Sequence, residues 1–287
     1  TIPAGQTLAL EAGTIVKVEK GTVALEVYGM LLTQGDAANK VVLTSYQDDA
    51  FGGDTNGDGD ATTPAPGDWY RIMVGESGTA NLTHTIVRYG GGDDSRLSLI
   101  RNQGGALTLT DSEVSHSYSS GVHCNQGARC EIVNTLVAHN ADYGVTCESA
   151  DCTLSGSRIT DNTLAGIYCS DTASCDVADS QIIGNGSGME CRGWPDPTAE
   201  CHIRDSHIEG NVGYGLAFSE STGSVSGNTI ADNGGYGASC GGDYAVTDNQ
   251  VLNNADGGLE VYGTFPGAAA VTVHGNTISG NGGPAVR

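Results

Sequence analysis

Apolar and polar residues alternate along this chain in short segments that are separated by Gly, Asn, Asp and Ser. Such segments are too short for helices, and their period of two predicts β-strands. A longer period is superimposed between residues 121 and 287, where one phrase returns every 21 to 27 residues. An internal repeat of this length predicts a stack of similar units.

The repeat aligns into an apolar column and an asparagine column three residues later. The apolar column holds Val137, Ile159, Ile182, Ile208, Ile230, Val251 and Ile278. The second column holds Asn140, Asn162, Asn185, Asn211, Asn233, Asn254 and Asn281. One unit cannot bury its apolar residues alone, so we expect stacked coils that share a core. We expect the asparagines to form a ladder that satisfies buried backbone groups at a turn.

The pattern N-x-I-x-x-N-x-x-x-G-I, which runs from Asn228 through Asn233 to Gly237, resembles right-handed parallel β-helix repeats of pectate-lyase-like proteins. This copy departs at its last position, where Ala238 replaces the larger apolar residue. The opening residues 2–5, Ile-Pro-Ala-Gly, resemble large bacterial surface and secreted β-helix proteins. The resemblance implies an all-β, single-stranded right-handed parallel β-helix of about ten coils with an Asn ladder. This fold supports lyases, hydrolases, epimerases, phage spikes and adhesins, so it does not decide the function.

We predict a single domain over residues 1–287. It begins with opening coils at 1–45, continues through an acidic insertion at 46–68, and ends with regular coils at 69–287. The opening coils are expected to contain strands at 7–10, 14–18, 24–27 and 41–44. Residues 80–87 are expected to form one strand.

The chain is strongly acidic, with 12 Lys and Arg against 34 Asp and Glu and a formal net charge of −22. This charge argues against nucleic acid and anionic membranes as partners and favours cations. No apolar stretch is long enough to cross a membrane. We expect a mature or excised piece of a longer surface protein or assembly.

Eight of the nine cysteines form four pairs that occupy the same place in successive coils. The pairs are Cys124/Cys130, Cys147/Cys152, Cys169/Cys175 and Cys191/Cys201. Eight cysteines allow 105 pairings, and we predict the pairing within each coil. Disulfides are favoured over a metal ladder because no histidine shares these columns. They imply an extracellular compartment, and Cys240 is expected to be a free, half-buried thiol.

The insertion resembles an EF-hand-type calcium loop in its first half. Asp54, Asn56 and Asp58 would offer side-chain oxygens, Gly59 the turn, and Asp60 a backbone carbonyl. Position 12 of such a loop is Ala65 and not Glu, so a further carboxylate is needed. The candidates for this ligand are Asp68, Asp48 and Asp49. A bound Ca²⁺ would order the loop; the alternative is a solvated acidic loop.

A second candidate metal site precedes the asparagine column. His116, His139 and Asp161 occupy this position in successive coils, and Arg88 is assigned to the equivalent position further up. Imidazoles and a carboxylate at strand spacing could bind a transition metal or support acid–base chemistry. Later coils carry Gly, Asp or Asn there, which favours a plain polar turn.

The strand after each repeat glycine carries an outward column that could hold a sugar chain. Its members are His123, Thr146, Tyr168, Glu190, Ala217, Ser239 and Glu260. Tyr168 and Glu190 would be adjacent, with Arg192 and Trp194 above them, which combines an acid, a base, a cation and a stacking ring. The alternative is the ordinary polar face of a solenoid.

Two functions therefore remain open. The first is an extracellular module, stabilised by calcium and disulfides, that acts as an adhesin or surface-structural unit and binds a polysaccharide or cell-surface glycan. The second is a polysaccharide lyase or glycoside hydrolase that uses the outward groove. A catalytic role would fall to Tyr168, Glu190, His123 and Arg192.

Overall fold

The computed structural model describes residues 1–21, 25–92, 98–193, 199–262 and 271–287. In this part of the chain, 30 short strands follow one another, and the described residues contain no helix that is long and apolar enough to cross a membrane. Each coil contributes strands at three positions, which we name the first, second and third faces. All pairings between coils are parallel.

The first and second faces form one sheet of 19 strands. The first face consists of β3 (Leu25–Val27), β6 (Ile72–Val74), β9 (Ile100–Gln103), β12 (Val122–Asn125), β15 (Val145–Glu148), β18 (Ala165–Ser170), β21 (Ser187–Arg192), the first halves of β24 (Leu216–Ser226) and β26 (Tyr236–Thr247), and β28 (Gly257–Tyr262). The second face consists of β1 (Thr7–Glu11), β4 (Met30–Gln34), β7 (Thr79–Thr83), β10 (Ala106–Thr110), β13 (Arg129–Val133), β16 (Asp151–Ser155), β19 (Ser174–Ala178), β22 (Glu200–Arg204), the second halves of β24 and β26, and β29 (Thr272–His274).

The third face is a separate sheet of 11 strands, one for each coil. Its members are β2 (Ile15–Val18), β5 (Val41–Ser45), β8 (Thr85–Arg88), β11 (Glu113–Ser115), β14 (Leu136–Ala138), β17 (Arg158–Thr160), β20 (Gln181–Ile183), β23 (His207–Glu209), β25 (Thr229–Ala231), β27 (Gln250–Leu252) and β30 (Thr277–Ser279). The predicted parallel β-helix is confirmed, with about eleven coils in place of about ten.

The core lies inside the coils because alternate residues of every strand point inward. Val137, Ile159 and Ile182 of the predicted apolar column pair in register and are 0% exposed. Inward residues of the first face, such as Ile167 and Leu216, close the core from another side. Stacking therefore buries aliphatic side chains that a single coil would leave in water.

The predicted asparagine ladder is also confirmed. The backbone N–H and the side-chain amide of Asn162 both donate to Oδ1 of Asn185, at 3.1 and 2.9 Å. The same amide donates to the carbonyl oxygen of Val137 at 3.2 Å. Each asparagine thus satisfies backbone groups at a buried corner, where an unpaired group would be costly.

A second polar ladder, which the sequence reasoning missed, runs along the corner between the second and third faces. Its members are Thr85, Ser112, Thr135, Ser157, Ser180, Ser206, Asn228, Asn249 and Asn276. Hydroxyls accept the backbone N–H in the upper coils and amides do so in the lower ones. The column was visible in the sequence two residues before the apolar column, but its change from Ser and Thr to Asn concealed it.

One strand prediction was wrong, and one strand was not predicted. Residues 80–87 form β7 and β8 and not one strand, because His84 between them takes a left-handed conformation with φ of 44°. The strand β4 was missed between Gly29 and Gly35. Gly29 is required by close approach, since a Cβ there would lie 2.3 Å from the carbonyl oxygens of Pro3 and Gln6.

The four predicted disulfides are present: Cys124–Cys130, Cys147–Cys152, Cys169–Cys175 and Cys191–Cys201. The free thiol of Cys240 is present as well, but the prediction that it is half-buried was wrong, since its exposure is 1%. Cys240 aligns with the first cysteine of each pair, and Tyr244 aligns with the second. Burial raises the pKa of the Cys240 thiol to about 12.

Candidate functional site

The outward column of the first face has the register that the sequence predicts. His123, Thr146 and Tyr168 pair in successive coils, and Glu190 follows Tyr168. One coil further up, Arg101 pairs with His123 and extends the column with a cation. From Arg101 to Glu260 the column crosses seven strand spacings, about 34 Å at the usual spacing. This length suits an extended ligand.

Aromatic rings and a guanidinium stack in the middle of this face. The rings of Tyr143 and Tyr168 are stacked with centroids 4.8 Å apart. The guanidinium of Arg192 lies 6.0 Å from the Tyr168 ring centroid and donates to Glu190 at 2.9 Å. Arg192 is held by attraction to both the ring and the carboxylate. The predicted neighbours Tyr168, Glu190 and Arg192 thus lie together, whereas Trp194 is outside the described residues.

A concavity of about 360 Å³, which we name the upper pocket, lies above this stack. Its lining consists of Ser98, Arg101, Ser119, Ser120, His123, Asp142, Tyr143 and Thr146. The hydroxyl of Ser98 is buried and has no hydrogen-bond partner among the described residues, and Ser98 is 1% exposed. Thr146 donates to Ser120 at 3.3 Å, and Ser119 donates to Asp142 at 2.8 Å. The floor of the pocket is therefore polar.

His123 is the titratable group at the centre of the upper pocket. Its Nε2 lies 3.2 Å from a carboxylate oxygen of Glu148. Burial, and next the charge of Arg101, lower the pKa of His123, against the opposing effect of Glu148. The imidazole is therefore neutral at neutral pH and can accept a proton. Tyr143 has a raised pKa, mainly through burial, so its phenol stays protonated.

A second concavity of about 360 Å³, the lower pocket, lies at the other end of the face. Arg192 lines it together with Tyr214, Glu260 and Tyr262. Ser239 donates to Glu260 at 2.7 Å, and Arg287 lies 3.9 Å from the same carboxylate. The two pockets flank the Tyr143–Tyr168 stack, so the face offers polar groups, cations and rings in one line.

The acidic insertion brings together some of the residues that are predicted to bind calcium. Potential ligand oxygens of Asp49, Asp54 and Asp58 lie within 4.8 Å of one another. One buried side-chain oxygen each of Asp49, Asn56 and Asp58 accepts no hydrogen bond among the described residues. Hard oxygen donors around a glycine turn are the set that Ca²⁺ prefers, so the residues fit this ion. Nζ of Lys17 lies 3.9 Å from a carboxylate oxygen of Asp49.

The remaining predicted ligands of the insertion are placed differently. Asp68 accepts from Ser45 at 2.6 Å and from the backbone of Ala65 at 2.9 Å, so its carboxylate is engaged elsewhere. Asp60 is exposed in the turn after Asp58. Asp54 caps the turn, and its pKa is lowered chiefly by the backbone N–H of Gly59.

The histidine column before the ladder is a row of left-handed turn residues. His116, His139 and Asp161 have φ values of 56°, 55° and 55°. The rings of His116 and His139 lie 5.2 Å apart, and the ring above His116 belongs to Tyr89. The assignment of Arg88 to this column was wrong, because Arg88 pairs with Ser115. His, Asp, Asn and Gly recur in this column because they tolerate left-handed backbone better than most residues.

Sequence reasoning missed Arg101 and Tyr143 as site residues. Arg101 lies 22 residues before His123, which is the repeat spacing, so extending the outward column by one coil would have found it. Tyr143 is a turn residue, and only the fold shows that its ring reaches Tyr168.

Residues 69–200, 97–243 and 198–287 match the family model described as the right-handed β-helix region. The chain belongs to the right-handed β-helix family. The matched segments together cover most of the chain and all of the first face from β9 onward. No curated protein matches the chain.

Solved structures share the fold at low sequence identity. The periplasmic alginate epimerase AlgG superposes with a TM-score of 0.68 at 13% identity, over 98% of this chain and 73% of that one. Pectate lyase Pel9A gives 0.61 at 16% identity, over 98% and 72%. The mannuronan C-5 epimerase AlgE4 A-module of Azotobacter vinelandii gives 0.61 at 15% identity, over 99% and 89%. At such identities the likeness shows the fold alone.

Proposed function

We propose that this β-helix is an extracellular polysaccharide-binding module, an adhesive or surface-structural unit, and that it holds its glycan along the first face. The observation that carries the proposal is the stack of Tyr143, Tyr168 and Arg192 between two open polar pockets. Sugar rings pack their apolar faces on aromatic side chains, while hydroxyls and charged groups bind sugar hydroxyls. The face continues for about seven strand spacings, which suits a polymer more than a small molecule.

Three observations support a polysaccharide and an extracellular setting. The similar structures include proteins named for alginate, pectate and mannuronan, one of them periplasmic. Four disulfides each join a first-face strand to the second-face strand of the same coil, and disulfides persist in oxidising compartments. The acidic surface disfavours anionic membranes and nucleic acid as the partner.

Calcium forms part of this proposal as a structural ion. A Ca²⁺ bound by Asp49, Asp54 and Asp58 would neutralise the negative charges of their converging carboxylates and would hold the insertion against the coils. An ion that binds only the folded loop raises stability by mass action. The melting temperature should therefore rise with Ca²⁺ and fall with chelator, and Asp58→Asn should reduce this response. Asp111→Asn is the matched control, since Asp111 lies on a distant turn. Equal responses in both variants would exclude this loop as the site.

The binding proposal is tested on a glycan array that contains neutral and acidic polysaccharides. The parent protein should bind at least one class of glycan, and Tyr168→Ala should lose most of that binding because it removes the central ring. Glu131→Ala alters an exposed residue of the second face and should bind like the parent. Binding that is insensitive to Tyr168, or absent throughout, would overturn the proposal.

A second candidate function is a polysaccharide lyase that acts in the upper pocket. The observation in its favour is a neutral His123 beside a protonated Tyr143 and a cationic Arg101 in one concavity. β-Elimination from a uronate requires a base, an acid and a cation that binds the carboxylate of the uronate. The ultraviolet absorbance of unsaturated products from pectate or alginate tests this candidate. It predicts product formation that His123→Ala abolishes; no product with either polymer would reject it. A glycoside hydrolase is less favoured, because Glu190 is already paired with Arg192.

A further inference from the structure

We infer that the second face carries an ester-hydrolysing site in which Ser224 is the nucleophile, His202 is the general base and Glu200 orients the base. The substrate class is a carboxylic ester with a short acyl group, such as an acetyl ester. The inference goes beyond the proposed function, because this site lies on another face of the helix and uses none of the residues assigned to glycan binding. It is based on two hydrogen bonds that connect the three side chains.

The repeat brings the three side chains to one place on the outside of the helix. Cys201 lies between Glu200 and His202 on β22 and is 0% exposed, so its two neighbours point outward. Ser224 of β24 pairs in register with His202 in the next coil. The serine and the carboxylate are therefore both neighbours of the imidazole, one across the strands and one along the strand.

The hydrogen bonds connect the groups in the order that a nucleophile and its base require. The Ser224 hydroxyl lies 2.8 Å from Nδ1 of His202, and Nε2 of the same ring lies 3.0 Å from a carboxylate oxygen of Glu200. An ionised carboxylate only accepts hydrogen bonds, so Nε2 of the neutral ring carries the proton. Nδ1 then has a free lone pair and accepts the hydrogen bond from the Ser224 hydroxyl. The serine is thus placed to pass its proton to the ring when it attacks an electrophile.

Charged neighbours favour this proton transfer and the attack that follows. Asp176 pairs in register with His202 in the preceding coil, so a second carboxylate lies near the ring when it becomes positively charged. Arg204 follows His202 by two residues on the same outward side, about 7 Å along the strand. Its side chain is 50% exposed, and its ion pair with Asp205 is loose, at 3.9 Å. Arg204 is therefore the cation that stabilises the negative oxygen formed when Ser224 attacks a carbonyl group.

The Ser224 hydroxyl is open to a small substrate. Across the strands its neighbours are His202 on one side and Ala245, an exposed residue with a small side chain, on the other. Thr222, two residues earlier on the same side of β24, is also small. Small neighbours suit a short acyl group, whereas a long apolar chain requires an apolar wall.

The reaction needs only the ester and water. Oγ of Ser224 forms a bond to the carbonyl carbon while its proton moves to Nδ1 of His202. The bond to the leaving oxygen breaks, and Nδ1 returns the proton to that oxygen, which releases the alcohol and leaves an acyl-serine. Water then attacks the acyl-serine and gives a proton to Nδ1. Oγ leaves and takes this proton back, which releases the carboxylic acid and restores the serine.

The test is the hydrolysis of para-nitrophenyl acetate by the full chain, measured as release of para-nitrophenolate. Ser224→Ala should lower the rate at least about tenfold, because a positioned general base contributes roughly 10²–10⁴-fold and this serine is the group that it activates. His202→Gln should lower the rate to a similar extent. Ser226→Ala, two residues further along the same side of β24, is the matched control and should hydrolyse the ester like the parent.

Two further variants separate catalysis from structure. Arg204→Gln should lower kcat about tenfold or more and leave KM nearly unchanged, because the guanidinium acts on the charge that develops in the transition state. Glu200→Gln should move the fall in activity on acidification to a lower pH, because the imidazolium loses a neighbouring negative charge. A purely structural role of Glu200 would leave the position of that fall unchanged.

Mass spectrometry of acid-quenched reactions locates the acyl intermediate. In the parent, the acetyl group should lie on the peptide that contains Ser224, and it should be absent from that peptide in Ser224→Ala. The seven histidines of the chain contribute a slow background, so the decisive comparison is between Ser224→Ala and Ser226→Ala. Equal rates in these two variants and the parent, or acetylation confined to other residues, would overturn the site and leave the glycan-binding proposal untouched.

Discussion

Oδ1 of Asn162 accepts hydrogen bonds from both the backbone N–H and the side-chain amide of Asn140 in the preceding coil, at 3.1 and 2.8 Å. The same relationship links Asn162 to Asn185 and Asn185 to Asn211. Each buried asparagine therefore links neighbouring coils, and the loss of its side chain removes hydrogen bonds on both sides.

Asn185→Ala should destabilise the fold strongly. Asn185 is 0% exposed, and its removal leaves the Asn162 backbone N–H without its acceptor and takes away the amide that donates to the Ile159 carbonyl oxygen. An unpaired buried group costs about 1–3 kcal/mol and a lost hydrogen bond roughly 0.5–1.5 kcal/mol, so we expect a loss of about 2–4 kcal/mol in the free energy of unfolding. Urea unfolding measures it, with the exposed Gln181→Ala as control. A loss no larger than that of the control would contradict the role of the ladder.

The salt bridge between Arg88 and Asp48 should anchor the start of the insertion to the coils. Nε and Nη2 of Arg88 each donate to a carboxylate oxygen of Asp48 at 2.8 Å, and the Arg88 guanidinium also lies 4.5 Å from the Phe51 ring centroid. Asp48 is 1% exposed, so removing Arg88 leaves a buried charge unpaired, at a cost of about 3–5 kcal/mol. Arg88→Met should lower stability by about that amount, and adding Asp48→Asn should recover part of it. A double-mutant cycle that shows no coupling energy between Arg88 and Asp48 would contradict a contribution of this salt bridge to stability.

Cys240 should be unreactive in the folded protein. Its thiol is buried, and a raised pKa leaves almost no thiolate at neutral pH. A thiol reagent should label no cysteine under native conditions and one cysteine after unfolding without reductant, because the other eight are in disulfides. Rapid native labelling, or more than one thiol after unfolding, would contradict the structure.

The stack of His116 on His139 should make the fold sensitive to acid. Burial, and next the charges of His139 and Arg88, lower the pKa of His116 below 6.5, while Glu113 and Asp48 oppose the shift. The unfolded chain therefore binds more protons than the folded one as the pH falls below about 6.5. Stability decreases through that window and levels off below the pKa of the folded state.

His116→Asn removes the titrating group and tolerates the left-handed backbone at this position, where φ is 56°. Stability measured by urea unfolding between pH 7 and pH 5 should fall less steeply in the variant than in the parent. His274→Asn, on an exposed strand, serves as control. The same slope in parent and His116→Asn would show that the ring stack carries no such linkage.

The fold was predictable because the same pattern of residues recurs in seven copies. Val137 and Asn140 alone would indicate little, but seven copies at similar spacing fix an inward column and a ladder. The disulfides followed because both members of each cysteine pair recur at the same place in successive coils and are only 5 to 10 residues apart. For Cys240 the sequence predicted only part of the outcome. The alignment of the repeats predicted that this thiol has no disulfide partner. Its full burial depends on the neighbouring residues Phe218 and Tyr244, whose rings stack 5.0 Å apart.

The candidate site was only partly predictable. Tyr168, Glu190 and Arg192 are neighbours because strand register is a consequence of the repeat. Arg101 was missed because the outward column was followed only from His123 onward, although Arg101 lies one repeat spacing earlier. Tyr143 was missed because it lies in a turn, where the alternation of strand residues does not determine the direction of a side chain. The ligand oxygens of Asp49 and Asp54 meet only because the insertion folds back on itself.

The measurement that tests the glycan-binding face most directly compares matched variants on two faces of the same helix. With a glycan that the parent binds, calorimetry would determine the affinity of Tyr168→Ala and Arg192→Gln on the first face, and of Glu131→Ala and Arg129→Gln on the second. We predict that each first-face variant loses about tenfold or more in affinity, while the second-face variants bind like the parent and all four unfold like it. Equal affinities for the variants of both faces would contradict binding along the first face.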